Sequence, residues 1–222
     1  MIEPDLLETT VAAATGATRR LTTKEKVKAD LAITVTTYDT LIDQYIDQIS
    51  DAAARFARLA EDSAGSFPTF GAETLRATWY GCNGTRDGNF LLPWRPKWAV
   101  TGVTLAGTAL VAGTDYRVLA GGELQRLSGG LPWCWWSDSD AVVTFTAGWS
   151  LPSGVPAALE ARVIDQVKMQ YHGRERDPGL RADSTDGVGS ETYSVIGGDS
   201  IGESGLLYSL EDALGPYRRL LA

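Results

Sequence analysis

A long amphipathic helix constrains this 222-residue chain more than any other stretch. From Tyr38 to about Leu59, apolar side chains recur with the 3.6-residue period of an α-helix, so one helical face must be buried against other elements. The residues on this face are Leu41, Ile42, Tyr45, Ile46, Ile49, Ala53 and Phe56. The pattern therefore predicts a packing core made of helices.

The other side of this helix carries four aspartates spaced four residues apart: Asp39, Asp43, Asp47 and Asp51. Like charges at this spacing destabilise an isolated helix by a few tenths of a kcal/mol per pair, roughly. One interpretation is a solvated face with chance periodicity. The other is a row that faces a channel or a seam between subunits, where arginines of a neighbouring copy or passing DNA would lie opposite.

Two further helices flank the long one in the predicted core. Thr22 followed by Glu25 is typical of a capping box, which predicts a short helix with Val27 on its buried face. Pro156 suits the first turn of the second helix, because its missing N–H has no partner to lose there. The apolar stripe of that helix comprises Leu159, Val163, Ile164, Val167 and Tyr171. Residues 1–20 show no clear period and are predicted to be either a mobile arm or a segment that depends on a partner.

Between residues 66 and 155 the pattern changes to short alternating runs separated by glycine-rich turns, which predicts an antiparallel meander or small sandwich. The predicted strands are Thr74–Tyr80, Val100–Leu105, Tyr116–Leu119, Leu124–Leu127 and Ala141–Thr146. All seven tryptophans lie in this region, and core packing is the expected role for most of them. The run from Leu131 to Trp136 is either core or an exposed contact loop.

The C-terminal part is predicted to be a flexible segment, 183–222, that ends in an apolar tail. Its first half is too polar and glycine-rich to bury itself within one subunit, although Glu191–Val195 has the composition of a strand. Leucines then recur near the end, at Leu206, Leu207, Leu210, Leu214 and Leu220. Such a tail either folds back on its own domain or docks on another protein.

Composition excludes several classes of function. The formal net charge is −8, and no segment has the basic excess that tight DNA or RNA binding requires. With two cysteines and one histidine, His172, a zinc site or a disulfide framework is not expected, and no cofactor is predicted. No apolar run is long enough to cross a bilayer and no secretory signal is evident, which predicts a protein made in a cytoplasm.

Two alternatives come from other functional classes. Carboxylates near tryptophans, at Asp87, Asp138 and Asp140, leave open a phage-associated glycan or cell-wall hydrolase. The tryptophan-rich loops leave open a carbohydrate-binding or protein-binding β module. His172 is expected to be structural or solvated, because no second histidine and no nucleophile elbow accompany it.

Four stretches of sequence carry a resemblance to a known family. The first is the opening Leu-Thr-Thr-Lys-Glu-Lys-Val-Lys-Ala-Asp-Leu (Leu21–Leu31). The second is the helix start Pro-Ala-Ala-Leu-Glu-Ala at Pro156, together with the break His-Gly-Arg-Glu-Arg-Asp-Pro (His172–Pro178) that follows the helix. The third is the run Gly-Val-Gly-Ser-x-x-Tyr (Gly187–Tyr193), and the fourth is the closing Leu-x-Pro-Tyr-Arg-Arg-Leu (Leu214–Leu220). In this order they resemble the head-tail connector, or adaptor, family of long-tailed bacteriophages and gene transfer agents.

The resemblance implies an α+β fold: a small helical bundle from 21–65 and 156–182, with an antiparallel, Trp-rich β lobe, 66–155, inserted in it. It also implies a non-enzymatic subunit of the virion neck, assembled in the host cytoplasm. Copies would form a ring, expected to be a dodecamer, between the portal protein and a tail-side stopper or tail-completion protein. DNA would pass through this ring without specific binding, and no membrane is involved.

Interface residues are expected after the Pro156 helix. Arginines pair well with carboxylates at subunit interfaces, although Arg174 is equally suited to compensating the helix dipole. The predicted interface residues are Arg174, Arg176, Arg181, Tyr193, Val195, Leu206, Leu207, Leu210, Leu214, Tyr217, Arg218 and Arg219. Related adaptors use C-terminal segments to grip the portal, so the segment is expected to be mobile in the free subunit and ordered on the portal.

Overall fold

The computed structural model describes residues 2–13, 16–81, 89–133, 139–174, 182–185, 189–192, 201–202 and 204–218. These residues form a mixed α+β fold with two compact units. The helical unit comprises Arg20–Ala57 and Pro152–Arg218. The described residues of the β unit belong to Met1–Arg19 and Arg58–Leu151.

The described part of the helical unit contains four α-helices. They are α1 (Lys24–Asp30), α2 (Asp39–Phe56), α3 (Ala157–Gly173) and α4 (Tyr208–Leu214), and a 3₁₀ turn follows at Gly215–Tyr217. Helix α1 packs against α2 and α3, and α4 packs against the same two helices. The periodicity of the sequence predicted the first three helices to within a few residues.

The buried faces of α2 and α3 are those that the sequence pattern indicates. Ile42, Ile46, Ile49 and Ala53 of α2 are buried, as are Leu159, Val163, Val167 and Tyr171 of α3. One cap lies one residue from the predicted position: the side chain of Thr23, not Thr22, accepts the capping hydrogen bond, from the Lys26 N–H at 3.4 Å. The Thr22 hydroxyl instead donates to Glu160 at 3.2 Å.

The β unit contains two antiparallel sheets in its described residues. The first has the order β1-β2-β9-β4-β5, and the second has the order β3-β7-β6, with β8 also paired to β7. The strands are β1 (Leu6–Val11), β2 (Glu73–Trp79), β3 (Phe90–Leu91), β4 (Ala99–Leu105), β5 (Thr108–Ala109), β6 (Tyr116–Val118), β7 (Glu123–Ser128), β8 (Leu131–Pro132) and β9 (Ala141–Ala147). All five predicted strands are present.

The two sheets share one hydrophobic core. Strand β9 alternates strictly, so Ala141, Val143, Phe145 and Ala147 point inward against residues of both sheets. Trp79 belongs to this core and stacks on Phe90, with ring centroids 4.5 Å apart. Five of the seven tryptophans are described, and Trp79 and Trp149 are the two that are buried among them.

The N-terminal residues do not form a free arm within the described part. Strand β1 pairs antiparallel with β2, joining Leu7 to Ala77 and Glu8 to Arg76, and Leu7 lies in the core. The prediction of an arm was wrong for this stretch because the strand gains its burial and hydrogen bonds from residues about seventy positions later. The local sequence, Leu-Leu-Glu-Thr-Thr-Val, shows no clear alternation.

The C-terminal part contains defined elements where it is described. Strands β10 (Ala182–Thr185) and β11 (Gly189–Thr192) form an antiparallel hairpin, and Leu206, Leu210 and Leu214 are buried around α4. The apolar tail therefore folds back on its own unit, which is one of the two alternatives that composition left open. The remaining residues of the segment predicted to be flexible lie outside the described residues.

Candidate functional site

A ladder of ion pairs covers the acidic row of α2. We call residues Arg20–Asp30, which include α1, the strap. Its cations recur every four residues and meet the aspartates in antiparallel order: Arg20 contacts Asp43 and Asp47 at 2.6 Å, Lys24 lies 3.3 Å from Asp39 and 3.6 Å from Asp43, and Lys28 contacts Asp39 at 2.6 Å. Three of the four aspartates are thus paired within the chain.

The strap is also tied to α3 by charge. The Lys26 ammonium contacts Glu160 at 2.8 Å, and the Lys168 ammonium contacts Asp30 at 2.6 Å. Successive even-numbered strap residues therefore alternate between partners on α2 and partners on α3. Leu21, Thr22 and Val27 are its fully buried side chains.

This arrangement pairs most of the acidic row within the chain, and whether the row also faces a channel or a subunit seam stays a prediction. Asp39, Asp43 and Asp47 face cations of the same chain, and hydrogen bonding by Lys28 lowers the pKa of Asp39 despite the opposing effect of desolvation. Asp51 is exposed and lies beside a surface groove lined by Gln48, Arg55 and Phe56. The signal for the ladder was present in the sequence, since Arg20, Lys24 and Lys28 have the same four-residue spacing as the aspartates.

Arg174 lies at the C-terminal end of α3, in a position suited to compensating the helix dipole. Its guanidinium donates to the Tyr171 carbonyl at 2.6 Å and lies 3.7 Å from the centre of the Tyr171 ring. The Tyr38 ring is 4.8 Å from the same guanidinium. A cation at this position stabilises the unpaired carbonyls and the negative end of the helix dipole.

The predicted C-terminal interface residues have mixed surroundings. Leu206, Leu210 and Leu214 are buried, so their apolar surface is already covered within the chain. The Leu207 N–H donates to the side-chain oxygen of Gln166, and the Arg218 guanidinium lies 4.8 Å from the Phe56 ring centre. Tyr217 is partly exposed. Five predicted interface residues lie outside the described residues: Arg176, Arg181, Tyr193, Val195 and Arg219.

A buried ion pair in the β unit was not predicted from the sequence. The guanidinium of Arg95 lies 3.2 Å from Glu73, both side chains are almost fully buried, and the same guanidinium donates to the Thr69 carbonyl at 2.6 Å. Desolvation lowers the pKa of Arg95, and the charges of Glu73 and Asp62 oppose that effect. Glu73 also accepts from the Ala13 N–H at 3.2 Å, so this cluster fixes the chain beyond β1.

The β unit also contains a cavity of about 300 Å³. Its lining combines carboxylates, including Asp5 and Glu61, with apolar side chains such as Leu7 and Leu92. The Asp5 carboxylate accepts from the Tyr80 N–H at 2.8 Å. Part of the cavity lining therefore has a structural role, because Asp5 holds the first residues of the chain beside the end of β2.

The residues that suggested an enzyme do not form a catalytic pair in the described structure. Asp140 accepts a hydrogen bond from the Gly81 N–H at 2.9 Å, a structural role, whereas Asp87 and Asp138 lie outside the described residues. Trp133 is about half exposed, at 48%, in the loop proposed as a contact surface, and Trp135 and Trp136 are not described. His172 is exposed and stands beside the Tyr171 ring.

Two features are absent from the described residues. No group of three or more His, Cys, Asp or Glu side chains there is arranged to hold a metal ion. Among the helices of the described chain, none combines the length and the apolar character needed to span a bilayer.

The described elements define an α+β protein in which a helical unit and an antiparallel β unit alternate along the chain. Neither a protein-family model nor a curated protein matches the chain. Solved structures do match. The fold resembles a chain in a structure described as the virion of a native gene transfer agent (GTA) particle, with a TM-score of 0.53, 17% identity and coverage of 97% of this chain and 96% of that one.

Two structures of the particle neck give similar values. A chain in the neck of an empty GTA particle, computed with C6 symmetry, matches with a TM-score of 0.54 and 16% identity over 98% of this chain and 97% of that one. A chain in the neck of a native GTA particle, computed with C12 symmetry, matches with a TM-score of 0.53 and 16% identity over the same shares. At these identities the likeness is one of fold.

Proposed function

We propose that this chain is a structural head-tail adaptor in the neck of a phage-like particle. The observation that carries the proposal is the match of fold over nearly the whole of both chains, to proteins in GTA particles and their necks. A match that includes both units is more informative than a shared helical or β module alone. The sequence features from Leu21 to Leu220 that resemble adaptors support the same assignment.

The proposed mechanism is assembly by complementary surfaces. Copies form a ring of twelve that extends the DNA channel between the portal protein and a tail-side stopper or tail-completion protein. The C12 and C6 symmetries of the matched neck structures support a cyclic arrangement. The net charge of −8 suits a conduit that does not retain DNA, because each Arg–phosphate contact would slow its passage.

The structure changes which residues we propose as contacts with the portal. Because Leu206, Leu210 and Leu214 are buried, they support the shape of the docking surface rather than provide it. We propose that Arg176, Arg181, Tyr193 and Val195, together with partly exposed residues near the C-terminus such as Tyr217 and Arg218, make the contacts. Arg174 is assigned to the end of α3, with a structural role. The acidic row, Asp39, Asp43, Asp47 and Asp51, stays a candidate for the channel or a subunit seam, and the exposed Asp47 and Asp51 are the first residues to test.

Assembly with the portal tests the proposal directly. Purified chain and its cognate portal, mixed and examined by electron microscopy, should give rings bound coaxially to one end of the portal. In particle-producing cells, loss of the gene should leave DNA-filled heads and separate tails, and the wild-type gene should restore joined particles. Normal particles without the protein would contradict a role in the neck.

One variant distinguishes a contact with the portal from a general defect. Replacing Arg176 with Glu should reduce assembly while the midpoint of thermal unfolding stays nearly unchanged. Asp165→Asn is a matched control on the surface of α3, where Asp165 pairs with Arg162 at 3.0 Å within the helix. That control should assemble normally. Equal assembly of both variants would remove Arg176 from the interface.

A further inference from the structure

The strap is held to the rest of the helical unit by many ion pairs, by a hydrogen bond from the Leu21 N–H to the Ser50 hydroxyl, and by few apolar side chains. Seven ion pairs, among the described residues, join it to α2 and α3. Leu21 and Val27 are its only large apolar side chains that are fully buried in the described structure. The attachment of the strap therefore depends more on ionic contacts than the packing of α2, α3 and α4 against one another does.

These ion pairs are accessible to salt. The Lys26 side chain is 50% exposed and that of Asp47 is 49% exposed, while most of the other strap partners are intermediate. A partly exposed pair contributes modestly to stability and is weakened by screening. Ile42 and Ile46 of α2 and Val163 of α3 are fully buried, and apolar burial does not weaken in this way.

The connection between the strap and α2 contributes little apolar packing. Helix α1 ends in a left-handed cap at Ala32, which has a φ of 54°, and the Ile33 N–H donates to the Lys28 carbonyl at 2.9 Å. The next residues are mostly exposed, including Val35 at 53%, until α2 begins at Asp39. Movement of the strap would therefore disturb few apolar contacts in this connection.

We propose that the strap is an ionic latch, which detaches from α2 and α3 as a unit when its ion pairs are screened while α2, α3 and α4 stay packed. Detachment uncovers an acidic strip, formed by Asp39, Asp43 and Asp47 of α2 with Glu160 of α3. The latch gives the subunit a closed state, in which the cations of the strap pair with this strip, and an open state, in which the strip is exposed.

Hydrogen–deuterium exchange of the full chain tests the latch. Exchange is measured at about 0.05 M and about 1 M NaCl, since the screening length falls to about 3 Å at the higher concentration. Amides of α1 should exchange at least about tenfold faster in high salt, whereas those on the buried face of α2 should change by less than about twofold. Equal acceleration of α1 and α2, or no change in either, would overturn the proposal.

Two variants connect the effect to the ion pairs. Asp43→Asn removes the carboxylate that both Arg20 and Lys24 contact, so α1 should exchange faster at low salt and respond less to added salt. Glu8→Gln is the control, because it removes an exposed ion pair with Arg76 in the β unit. The control should leave α1 exchange at the wild-type rate. An unchanged salt response in Asp43→Asn would contradict an ionic latch.

Discussion

Gln166 accepts a hydrogen bond of 2.6 Å from the Leu207 backbone N–H through its side-chain oxygen. Gln166 is fully buried in α3, and Leu207 is the residue that precedes α4. The contact fixes the start of α4 against α3 and satisfies a backbone donor at a helix N-terminus. It joins positions 166 and 207 across the glycine-rich segment.

The first prediction concerns the apolar contacts of α4. Leu210 has no exposed surface, and truncating a fully buried leucine removes transfer free energy and leaves a cavity. Leu210→Ala should lower the free energy of unfolding by about 2–5 kcal/mol, measured by urea denaturation. Tyr208→Ala is the control on the same helix, because Tyr208 is half exposed, and it should cost much less. Equal stability of Leu210→Ala and wild type would mean that α4 is undocked in solution.

Periodicity in the sequence predicted the helices and strands that bury one face and leave the other face more exposed. The alternation of Ala141–Ala147 and the helical stripe from Ile42 to Ala53 both record a single buried side, and the structure has both elements. Strand β1 and helix α4 were not predicted because their partners are distant in sequence. Leu7 and Leu210 are equally consistent with a docking segment until the packing is known.

The ion pairs were harder to predict from the sequence than the apolar core. The row of aspartates on α2 was evident, but its partners precede and follow the start of α1, where a helical pattern cannot be read continuously. The pair of Arg95 and Glu73 had no signal, because single charged residues in a β region are ordinarily solvated. The four-residue spacing of Arg20, Lys24 and Lys28 was visible in the sequence, but which charges pair across elements depends on the fold.

The second prediction concerns a backbone contact. A Cβ atom added to Gly71 would lie 2.4 Å from the Thr18 carbonyl oxygen, which is closer than real Cβ contacts. Gly71→Ala should therefore destabilise the β unit by more than about 1 kcal/mol, because backbone on both sides must shift. Gly102→Ala, in β4, is the matched control, since no atom lies within 4 Å of its added Cβ. Thermal unfolding of both variants compares them, and a smaller loss for Gly71→Ala would contradict the close approach.

The third prediction is a dependence of stability on pH. Burial raises the pKa of Asp62, but hydrogen bonds from Ser66, Thr9 and Ala64 outweigh this effect, so the pKa lies below its ordinary value. A carboxyl group with a lowered pKa in the folded state stabilises the protein above its unfolded pKa, about 3.9, and loses this contribution as pH falls through the folded value.

Asp62→Asn should therefore lower the free energy of unfolding at pH 7, and the difference from wild type should shrink as the pH falls below about 4. Urea denaturation at several pH values measures this dependence. Glu61→Gln is the control, because Glu61 is the exposed neighbouring residue, and its effect should be small at every pH. A constant difference between Asp62→Asn and wild type across this range would exclude the ionised carboxylate as the cause.

The last prediction separates the cost of burying an ion pair from the cost of breaking it. Arg95→Met leaves the Glu73 carboxylate buried without its cation, which costs about 3–5 kcal/mol in comparable buried pairs. Replacing both residues, with Met at 95 and Leu at 73, removes the desolvation cost of both charges, although the Ala13 N–H loses its acceptor. The double variant should therefore be more stable than Arg95→Met in urea denaturation. If the double variant is less stable than Arg95→Met, the Glu73 carboxylate contributes more stability by accepting from the Ala13 N–H than its burial without a cation costs.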